Sequence, residues 1–248
     1  MPIAMIFAAG RGERMRPLTD HTPKPLLAVG GKPLIVWQIE ALARAGFRQI
    51  VVNHAWLGGQ LEAALGDGAR FGVRLRHSAE AEAMETAGGV AHARGLLRAA
   101  QDAEGAAPHA ALIFAAVSGD VYTDYDYRAL LPRLAALRQA AAAGAPPGMH
   151  LVMVPNPDYH PRGDFCLDAG RLRAEGGERL TFGNIGLYDL RLFDDIADGE
   201  RRAMTPLYQE ALADGRASGE RHDGVWENVG TPAQLAALNA RLGARGLA

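Results

Sequence analysis

The sequence has little cysteine, no long apolar run and no excess of either charge. Its one cysteine, Cys166, excludes an internal disulfide and is expected to be a small buried residue. No stretch approaches the roughly 18 apolar residues of a membrane span, and the N-terminus, which lacks a basic leader, is predicted to be a strand. The 26 basic and 28 acidic side chains show no block of like charge, so nucleic acid and membrane surfaces are not expected as partners. We therefore expect a cytoplasmic globular protein.

Lysine is also scarce, because 24 of the 26 basic residues are arginine and the two lysines are Lys24 and Lys32. Nucleotide bias in the source is the simplest explanation of the arginine excess, but it does not explain where the lysines lie. Lysine carries a compact ammonium that reaches a phosphate oxygen in a confined site where a guanidinium does not fit. Lys32, in a turn before a predicted helix, is expected to be replaceable by arginine.

Short apolar runs alternate with segments of helical spacing in the first part of the chain. Strands are predicted over residues 3–8, 50–52, 73–77 and 110–117, and helices over residues 33–45, 57–65, 86–99 and 130–143. This alternation predicts an α/β fold with a doubly wound, mostly parallel, Rossmann-like sheet up to about residue 145.

The pattern changes in the C-terminal part. Strands are predicted over residues 149–154, 164–167 and 180–188 with few helices between them, followed by helices over residues 207–213 and 232–242. Antiparallel additions to the sheet are therefore expected there. No repeat or flexible linker separates the two parts, so we predict a single domain over residues 1–248.

A glycine loop follows the first predicted strand. Gly10 and Gly12 lie between Ala8 and Arg14, where backbone N–H groups can surround a phosphate. The loop lacks the third glycine of the dinucleotide fingerprint, since Met15 stands there, and it lacks the ending of a P-loop. An ordinary turn after a strand is the alternative.

Two further segments carry charged side chains in constrained positions. Lys24 lies between Pro23 and Pro25, which fix the backbone on both sides. Asp120 follows an apolar run, and ligands of open α/β sheets bind outside the carboxyl ends of such strands. Its carboxylate is the type of oxygen ligand that Mg²⁺ prefers. A solvated loop lysine and an N-cap aspartate are the alternatives.

These segments occur in a recognisable order. The series Ala-Ala-Gly-x-Gly-x-Arg-Met-x-Pro-Leu-Thr, then Pro-Lys-Pro-Leu, then Gly-Asp after an apolar strand, then residues 226–231, resembles the sugar-phosphate nucleotidyltransferase family over essentially the whole chain. The resemblance implies that residues 1 to about 145 bind the nucleotide and that residues from about 146 to 248 bind the sugar and close the site. It implies Arg14, Lys24 and Asp120 as catalytic residues and Asp164 as a sugar-binding residue. The implied nucleotide site consists of Ala9, Gly10, Gly12, Glu13, Arg14, Lys24, Gly88, Gly89 and Ser118.

Within the family, residues 52–58, 65–68 and 162–165 most resemble uridylyltransferases that act on N-acetylmuramate 1-phosphate in cell-wall recycling. The implied reaction transfers UMP from UTP to the sugar 1-phosphate and releases pyrophosphate, with Mg²⁺ as cofactor and these small molecules as partners. A monomer or weak homo-oligomer is expected. A guanylyl- or thymidylyltransferase acting on another sugar 1-phosphate is one alternative, and a nucleotide-sugar binding protein without catalysis is another.

Two positions depart from the family pattern: Ser118, where similar members have asparagine before Gly-Asp near the nucleotide, and position 228. Where the family has Trp-x-Asp-x-Gly-Thr, with the aspartate as a second metal ligand, this chain has Asn228. Its amide oxygen can still bind Mg²⁺ beside Asp120, but it brings no charge. Glu227 is not expected to replace the aspartate, because neighbouring side chains of a strand point to opposite faces.

Overall fold

Apolar runs and glycine or proline stops divide the chain into short strands and helices. The computed structural model describes residues 1–105 and 110–244. The strands in these ranges are β1 (Ile3–Phe7), β2 (Ala28–Val29), β3 (Lys32–Pro33), β4 (Gln49–His54), β5 (Arg74–Ala79), β6 (Ile113–Ser118), β7 (Val121–Thr123), β8 (Met149–Val154), β9 (Phe165–Asp168), β10 (Arg171–Arg173), β11 (Glu178–Asp189), β12 (Ala217–Arg221) and β13 (Trp226–Asn228). The helices are α1 (Leu34–Arg44), α2 (Gly58–Leu65), α3 (Glu85–His92), α4 (Arg94–Asp102), α5 (Leu130–Ala142), α6 (Thr205–Ala213) and α7 (Pro232–Ala244). None of these helices has the length and apolar character needed to cross a membrane.

Most of the strands join one sheet of nine, in the order β5-β4-β1-β6-β11-β8-β12-β10-β9. The first four are parallel neighbours, and Ile6 of β1 lies opposite Val52 of β4 and Val117 of β6. β11 is antiparallel to both β6 and β8, and β10 and β9 extend the far edge in antiparallel fashion. The predicted α/β class is confirmed, and the sheet is mixed.

Two details differ from the sequence prediction. β12 runs parallel to β8, because residues 155–216 supply the long connection that a parallel pair requires. The single helix predicted over residues 86–99 is wrong: α3 and α4 are separate helices that meet at Ala93. The break lets α3 pack beside residues 190–193 while α4 packs on β1 and β4.

Helices cover both faces of the sheet. Ala4 and Ile6 of β1 belong to a core formed with α1, α2 and α5. Ile3 and Met5 belong to a second core, formed with α3, α4 and α6. Successive side chains of a strand point to opposite faces. β1 is therefore covered on both faces, which explains why its sequence is apolar without alternation.

A two-stranded antiparallel ribbon, β7 with β13, follows the carboxyl end of β6. In this ribbon Asn228 pairs with Val121, and the N–H of Val229 donates to the carbonyl oxygen of Asp120 over 3.1 Å. A third apolar cluster, which includes Met15 and Leu238, packs α7 against the loop after β1. The ribbon and α7 thus bring the C-terminal part of the chain beside the glycine loop.

Candidate active site

The glycine loop after β1 is shaped by Gly12, whose φ of +70° lies in the left-handed region. A Cβ at this position would lie 3.1 Å from both Lys24 Cβ and Thr19 Cγ2. The hydroxyl of Thr19 donates to the carbonyl oxygen of Gly12 over 2.9 Å. Glycine at position 12 therefore lets the loop lie directly on the Lys24 side chain.

Lys24 opens a short 3₁₀ turn, Lys24–Leu26, after the extended Pro23. The residue is only 8% exposed, and its Nζ donates to Oδ2 of Asp120, which is 96 positions away in sequence. The two predicted catalytic side chains are thus brought into contact. Their opposite charges offset one another at a position largely removed from water.

A cavity of about 440 Å³ opens beside this pair. Its walls come from the glycine loop, the Lys24 turn, the end of β6 and the start of α3. It lies outside the carboxyl ends of the parallel strands, where open α/β sheets bind ligands. The sequence-predicted residues that line it are Ala9, Gly10, Gly12, Glu13, Arg14, Lys24, Ser118 and Asp120.

Two buried side-chain oxygens near this cavity have no hydrogen-bond partner within the described residues. They are Oδ1 of Asp120, which lines this cavity, and Oδ1 of Asn228, which precedes the residue whose N–H donates to the carbonyl oxygen of Asp120. A buried oxygen without a donor costs free energy, and carboxylate and amide oxygens are ligands of divalent cations. Each of these oxygens is therefore suited to such a cation, whereas Glu227 lines neither cavity and accepts from Arg241 Nη2 over 2.5 Å. In the same ranges no group of three or more histidine, cysteine, aspartate or glutamate side chains could hold a metal.

A second cavity, of about 510 Å³, lies against the ribbon and is lined by Asn228. Asp164 is in this cavity, where its Oδ2 accepts from the N–H of Phe182 over 2.8 Å and its Oδ1 lies 3.0 Å from His160 Nε2. The structure thus places Asp164 with Asn228 and apart from the predicted site residues of the first cavity, and the ribbon lies between the two cavities. The aromatic side chains in its lining are Tyr159, Phe165, Phe182, Tyr208 and Trp226.

The nucleotidyl transferase family model matches residues 3–151. The chain belongs to this family. N-acetylmuramate alpha-1-phosphate uridylyltransferase of Neisseria meningitidis serogroup B is 45% identical over 245 residues, with 97% of this chain and 98% of the relative covered. The enzyme of the same name from Caulobacter vibrioides is 32% identical over 252 residues, with 97% and 96% covered. A candidate glucose-1-phosphate thymidylyltransferase from Bacillus anthracis shares the fold, with a TM-score of 0.78, 20% identity and 97% and 95% coverage.

Gly88 and Gly89 are not brought to the first cavity of this nucleotidyl transferase, although the resemblance implied contact with the base. Both are buried within α3. A Cβ at Gly88 would lie 2.3 Å from the carbonyl oxygen of Glu200, and one at Gly89 would lie 2.8 Å from Asn53 Nδ2. In the structure these glycines make room for neighbouring protein atoms.

Several residues of the nucleotidyl transferase cavity were not found from the sequence. Glu85 and Thr86 line it at the start of α3, and Arg201 pairs with Glu85 at 3.2 Å. Glu85 has a φ of +61°, a conformation that residues other than glycine rarely adopt. Neither the loop that carries Arg201 nor this backbone conformation has a sequence motif, so only the folded chain reveals them.

His54, which ends β4, lines neither cavity. Burial lowers the pKa of its imidazole, although Glu62, with Oε1 3.0 Å from Nε2, acts in the opposite direction. A Cβ at Gly58 would lie 2.1 Å from His54 Nδ1, so glycine at that position makes room for the ring. The part of the 52–58 motif that includes His54 and Gly58 is thus explained by packing.

The lining of the first cavity suits a polyphosphate. Arg14, Lys24 and Arg201 supply positive charge, and the glycine loop supplies backbone N–H groups. Arg14 Nη2 lies 3.5 Å from the position of a Cβ added at Gly230, which places this cation beside the end of the ribbon. Cations and the carboxylate of Asp120 therefore line the same cavity.

Proposed function

We propose that this nucleotidyl transferase moves UMP from UTP to N-acetylmuramate α-1-phosphate, giving UDP-N-acetylmuramate and pyrophosphate. The observation that carries the proposal is the arrangement of two cavities at the ribbon. Arg14, Lys24 and Asp120 line one, and Asp164, Asn228 and aromatic rings line the other. The activity named for the two relatives that match along their whole length supports the choice of substrates. The reaction would serve recycling of cell-wall sugars in the cytoplasm.

The two cavities also support a division of roles along the chain. Apart from Arg201 and Gly230, the lining residues of the first cavity lie at or before position 120, and those of the second lie at or after position 159. We assign residues 1 to about 145 to nucleotide binding and residues from about 146 to 248 to sugar binding and closure. The nine-stranded sheet contains strands of both parts, which supports a single domain.

The proposed reaction requires positioning and charge neutralisation and no covalent enzyme intermediate. A phosphate oxygen of the sugar attacks the α-phosphorus of UTP, a new P–O bond forms, the bond to the β-phosphate oxygen breaks, and pyrophosphate leaves. Lys24 and Arg14 neutralise the two phosphate groups as they approach one another. Backbone N–H groups of the glycine loop hold the triphosphate.

Mg²⁺ is the proposed cofactor, and Asp120 and Asn228 are the side chains that would hold it. When bound, it would neutralise charge on the phosphate oxygens. Asp120 uses Oδ2 for Lys24 and keeps Oδ1 free of hydrogen bonds from the described residues, so one carboxylate serves both the lysine and a cation. Mg²⁺ commonly binds through few carboxylates together with substrate phosphates.

Pyrophosphate release tests the proposed function. Purified protein given UTP, N-acetylmuramate 1-phosphate and Mg²⁺ is expected to release pyrophosphate and to form UDP-N-acetylmuramate, identified by mass spectrometry. A panel of four nucleoside triphosphates against several sugar 1-phosphates measures the preference. Pyrophosphate release with a different nucleoside triphosphate or sugar 1-phosphate, and none with the proposed pair, would show that the proposed substrates are wrong. Saturable binding of a UDP-sugar with no release from any pair would make the chain a binding protein.

Arg179 is the proposed recognition group for the acidic substituent of the sugar. N-acetylmuramate differs from N-acetylglucosamine by a lactyl ether that carries a carboxylate. Arg179 lines the second cavity, and its Nε, Nη1 and Nη2 each donate to a backbone carbonyl oxygen over 2.9 Å. These bonds fix the guanidinium without neutralising it, and its remaining N–H groups suit a carboxylate.

Arg179→Gln is expected to lower the preference for N-acetylmuramate 1-phosphate over N-acetylglucosamine 1-phosphate, expressed as a ratio of kcat/KM, by about tenfold or more, the size of one charge-assisted hydrogen bond. Steady-state kinetics at saturating UTP measure the ratio. Arg173→Gln is the matched control, because Arg173 pairs with Asp168 at 3.6 Å and lines neither cavity. An equal loss with both sugars would assign Arg179 a purely structural role.

A further inference from the structure

A buried polar pair lies beside the first cavity: Asn53, which lines the cavity near the end of β4, and Glu80 directly after β5. Asn53 is 2% exposed and Glu80 is 5% exposed. Asn53 Oδ1 accepts a hydrogen bond from the N–H of Ala8 over 3.0 Å, and Asn53 Nδ2 donates to Glu80 Oε1 over 2.6 Å. Glu80 Oε2 accepts from the N–H of Met84 over 2.8 Å. Two side chains thus connect the loop after β1 to the residue that precedes α3.

Both ends of this connection belong to walls of the nucleotide cavity. Ala8 begins the glycine loop, and Met84 lies between Ala83 and Glu85, which line the opposite wall. The two bonds of Asn53 are buried and the bond from Met84 is partly buried, and a buried donor or acceptor left without its partner costs more free energy than the bond itself contributes. The separation of the two walls is therefore fixed by the lengths of three hydrogen bonds.

Gly89 of α3 makes room for the pair. A Cβ at this position would lie 2.8 Å from both Asn53 Nδ2 and Glu80 Oε1, which is closer than real Cβ atoms approach. The bond between the two side chains consequently depends on a glycine that the family resemblance assigned to the nucleotide. The need for a residue without a Cβ at position 89 is a second observation, separate from the hydrogen-bond distances, that concerns Asn53 and Glu80.

We propose that Asn53 and Glu80 are positioning residues that set the separation of the two cavity walls and thereby the affinity for the nucleoside triphosphate. The inference rests on the proposed nucleotide site and is independent of the identity of the sugar. Loss of the pair weakens nucleotide binding and leaves KM for the sugar phosphate unchanged, because Asp164 and the second cavity make no contact with the pair.

The amide of Asn53 and the carboxylate of Glu80 can be exchanged between the two positions so that every hydrogen bond is kept. Glu80 accepts two N–H groups, so Glu80→Gln turns an NH₂ group toward a donor. Asn53→Asp turns a carboxylate toward the carboxylate of Glu80, with which it cannot share a hydrogen bond at neutral pH. In the double variant the new carboxylate at position 53 accepts from Ala8 and from the new amide at position 80, whose oxygen accepts from Met84. All three hydrogen bonds are then restored.

Titration calorimetry with UTP and Mg²⁺, without sugar phosphate, tests the proposal in the full-length protein. Each single variant is expected to raise Kd for UTP by about tenfold or more, and the double exchange to return it to within about threefold of the original value. Gln49→Glu is the matched control, because Gln49 lies at the other end of β4 and donates to Glu104 over 2.8 Å in the same amide–carboxylate chemistry. It is expected to leave Kd unchanged.

A double exchange that binds UTP as weakly as the single variants, or single variants that bind it normally, would overturn the proposal, as would absence of UTP binding by the unaltered protein. If a single variant does not fold, the double exchange and Gly89→Ala test the proposal instead. UTP binding that is restored in the double exchange and weakened in Gly89→Ala supports the positioning role. Weak binding in the double exchange together with normal binding in Gly89→Ala overturns it. UTP binding that follows the expected pattern without any pyrophosphate release would refute the proposed reaction alone.

Discussion

Substitution of Lys24 by arginine is expected to lower kcat/KM for UTP by about a hundredfold or more, the loss observed when one preorganised donor to a reacting oxygen is removed. Arginine keeps the positive charge of the Lys24 side chain but changes the shape of the charged group. Lys24 Cβ and Cδ lie 3.1 and 3.4 Å from the position of a Cβ added at Gly12, so the side chain passes through a narrow space. A guanidinium is broad and planar and does not fit there. Pyrophosphate release at varied UTP concentration measures the loss.

Lys32 supplies the control, since it is the other lysine of the sequence. Its Nζ lies 2.6 Å from Glu40 and 4.1 Å from the centre of the Trp37 ring. Arginine forms both kinds of contact, so Lys32→Arg is expected to keep turnover within about twofold. Turnover in Lys24→Arg as high as in Lys32→Arg would show that Lys24 does not bind the reacting phosphates.

Asp120→Asn is expected to reduce kcat by about a thousandfold, because metal-assisted neutralisation contributes several kcal/mol and about 1.4 kcal/mol corresponds to tenfold. The substitution removes the carboxylate from the two proposed metal ligands, Asp120 and Asn228. It also leaves the buried ammonium of Lys24 without its carboxylate partner. Turnover measured as a function of Mg²⁺ concentration separates weaker metal binding from a slower reaction at saturating metal.

Asn228→Asp provides the reciprocal experiment. A second carboxylate in the ribbon is expected to lower the Mg²⁺ concentration at half-maximal rate by about tenfold, because carboxylate charge governs the binding of hard cations. Combining it with Asp120→Asn moves the carboxylate to the other strand and is expected to recover part of the lost affinity for Mg²⁺. An unchanged Mg²⁺ requirement in Asn228→Asp would exclude position 228 as a ligand.

The core of the sheet was predictable because strands covered on both faces need apolar residues at nearly every position. β1, β6 and β8 lie close to their predicted bounds for this reason. The short strands β2, β3, β7, β10, β12 and β13 were not predicted from the sequence. Their pairing depends on contacts between distant parts of the chain, as in the pairing of Asn228 with Val121.

The first cavity was predictable where backbone constraints are visible in the sequence, as at Gly12 and at Lys24 between its prolines. Gly89 illustrates the limit, because a glycine shows that space is needed without showing whether a ligand or the protein occupies it. The hydrogen bond between Asn53 and Glu80 was missed for a related reason. The two residues are 27 positions apart and belong to no motif, so only the folded chain brings them together.

The ribbon of β7 and β13 also determines when the protein can acquire activity during its synthesis. It joins position 121 to position 228, whereas most of the first cavity is built from residues up to position 120. Chains emerge N-terminus first at about 5–20 residues per second, so the glycine loop and the Lys24 turn are synthesised about 10–40 s before β13. A nascent chain therefore lacks one of the two proposed metal ligands until β13 has been synthesised.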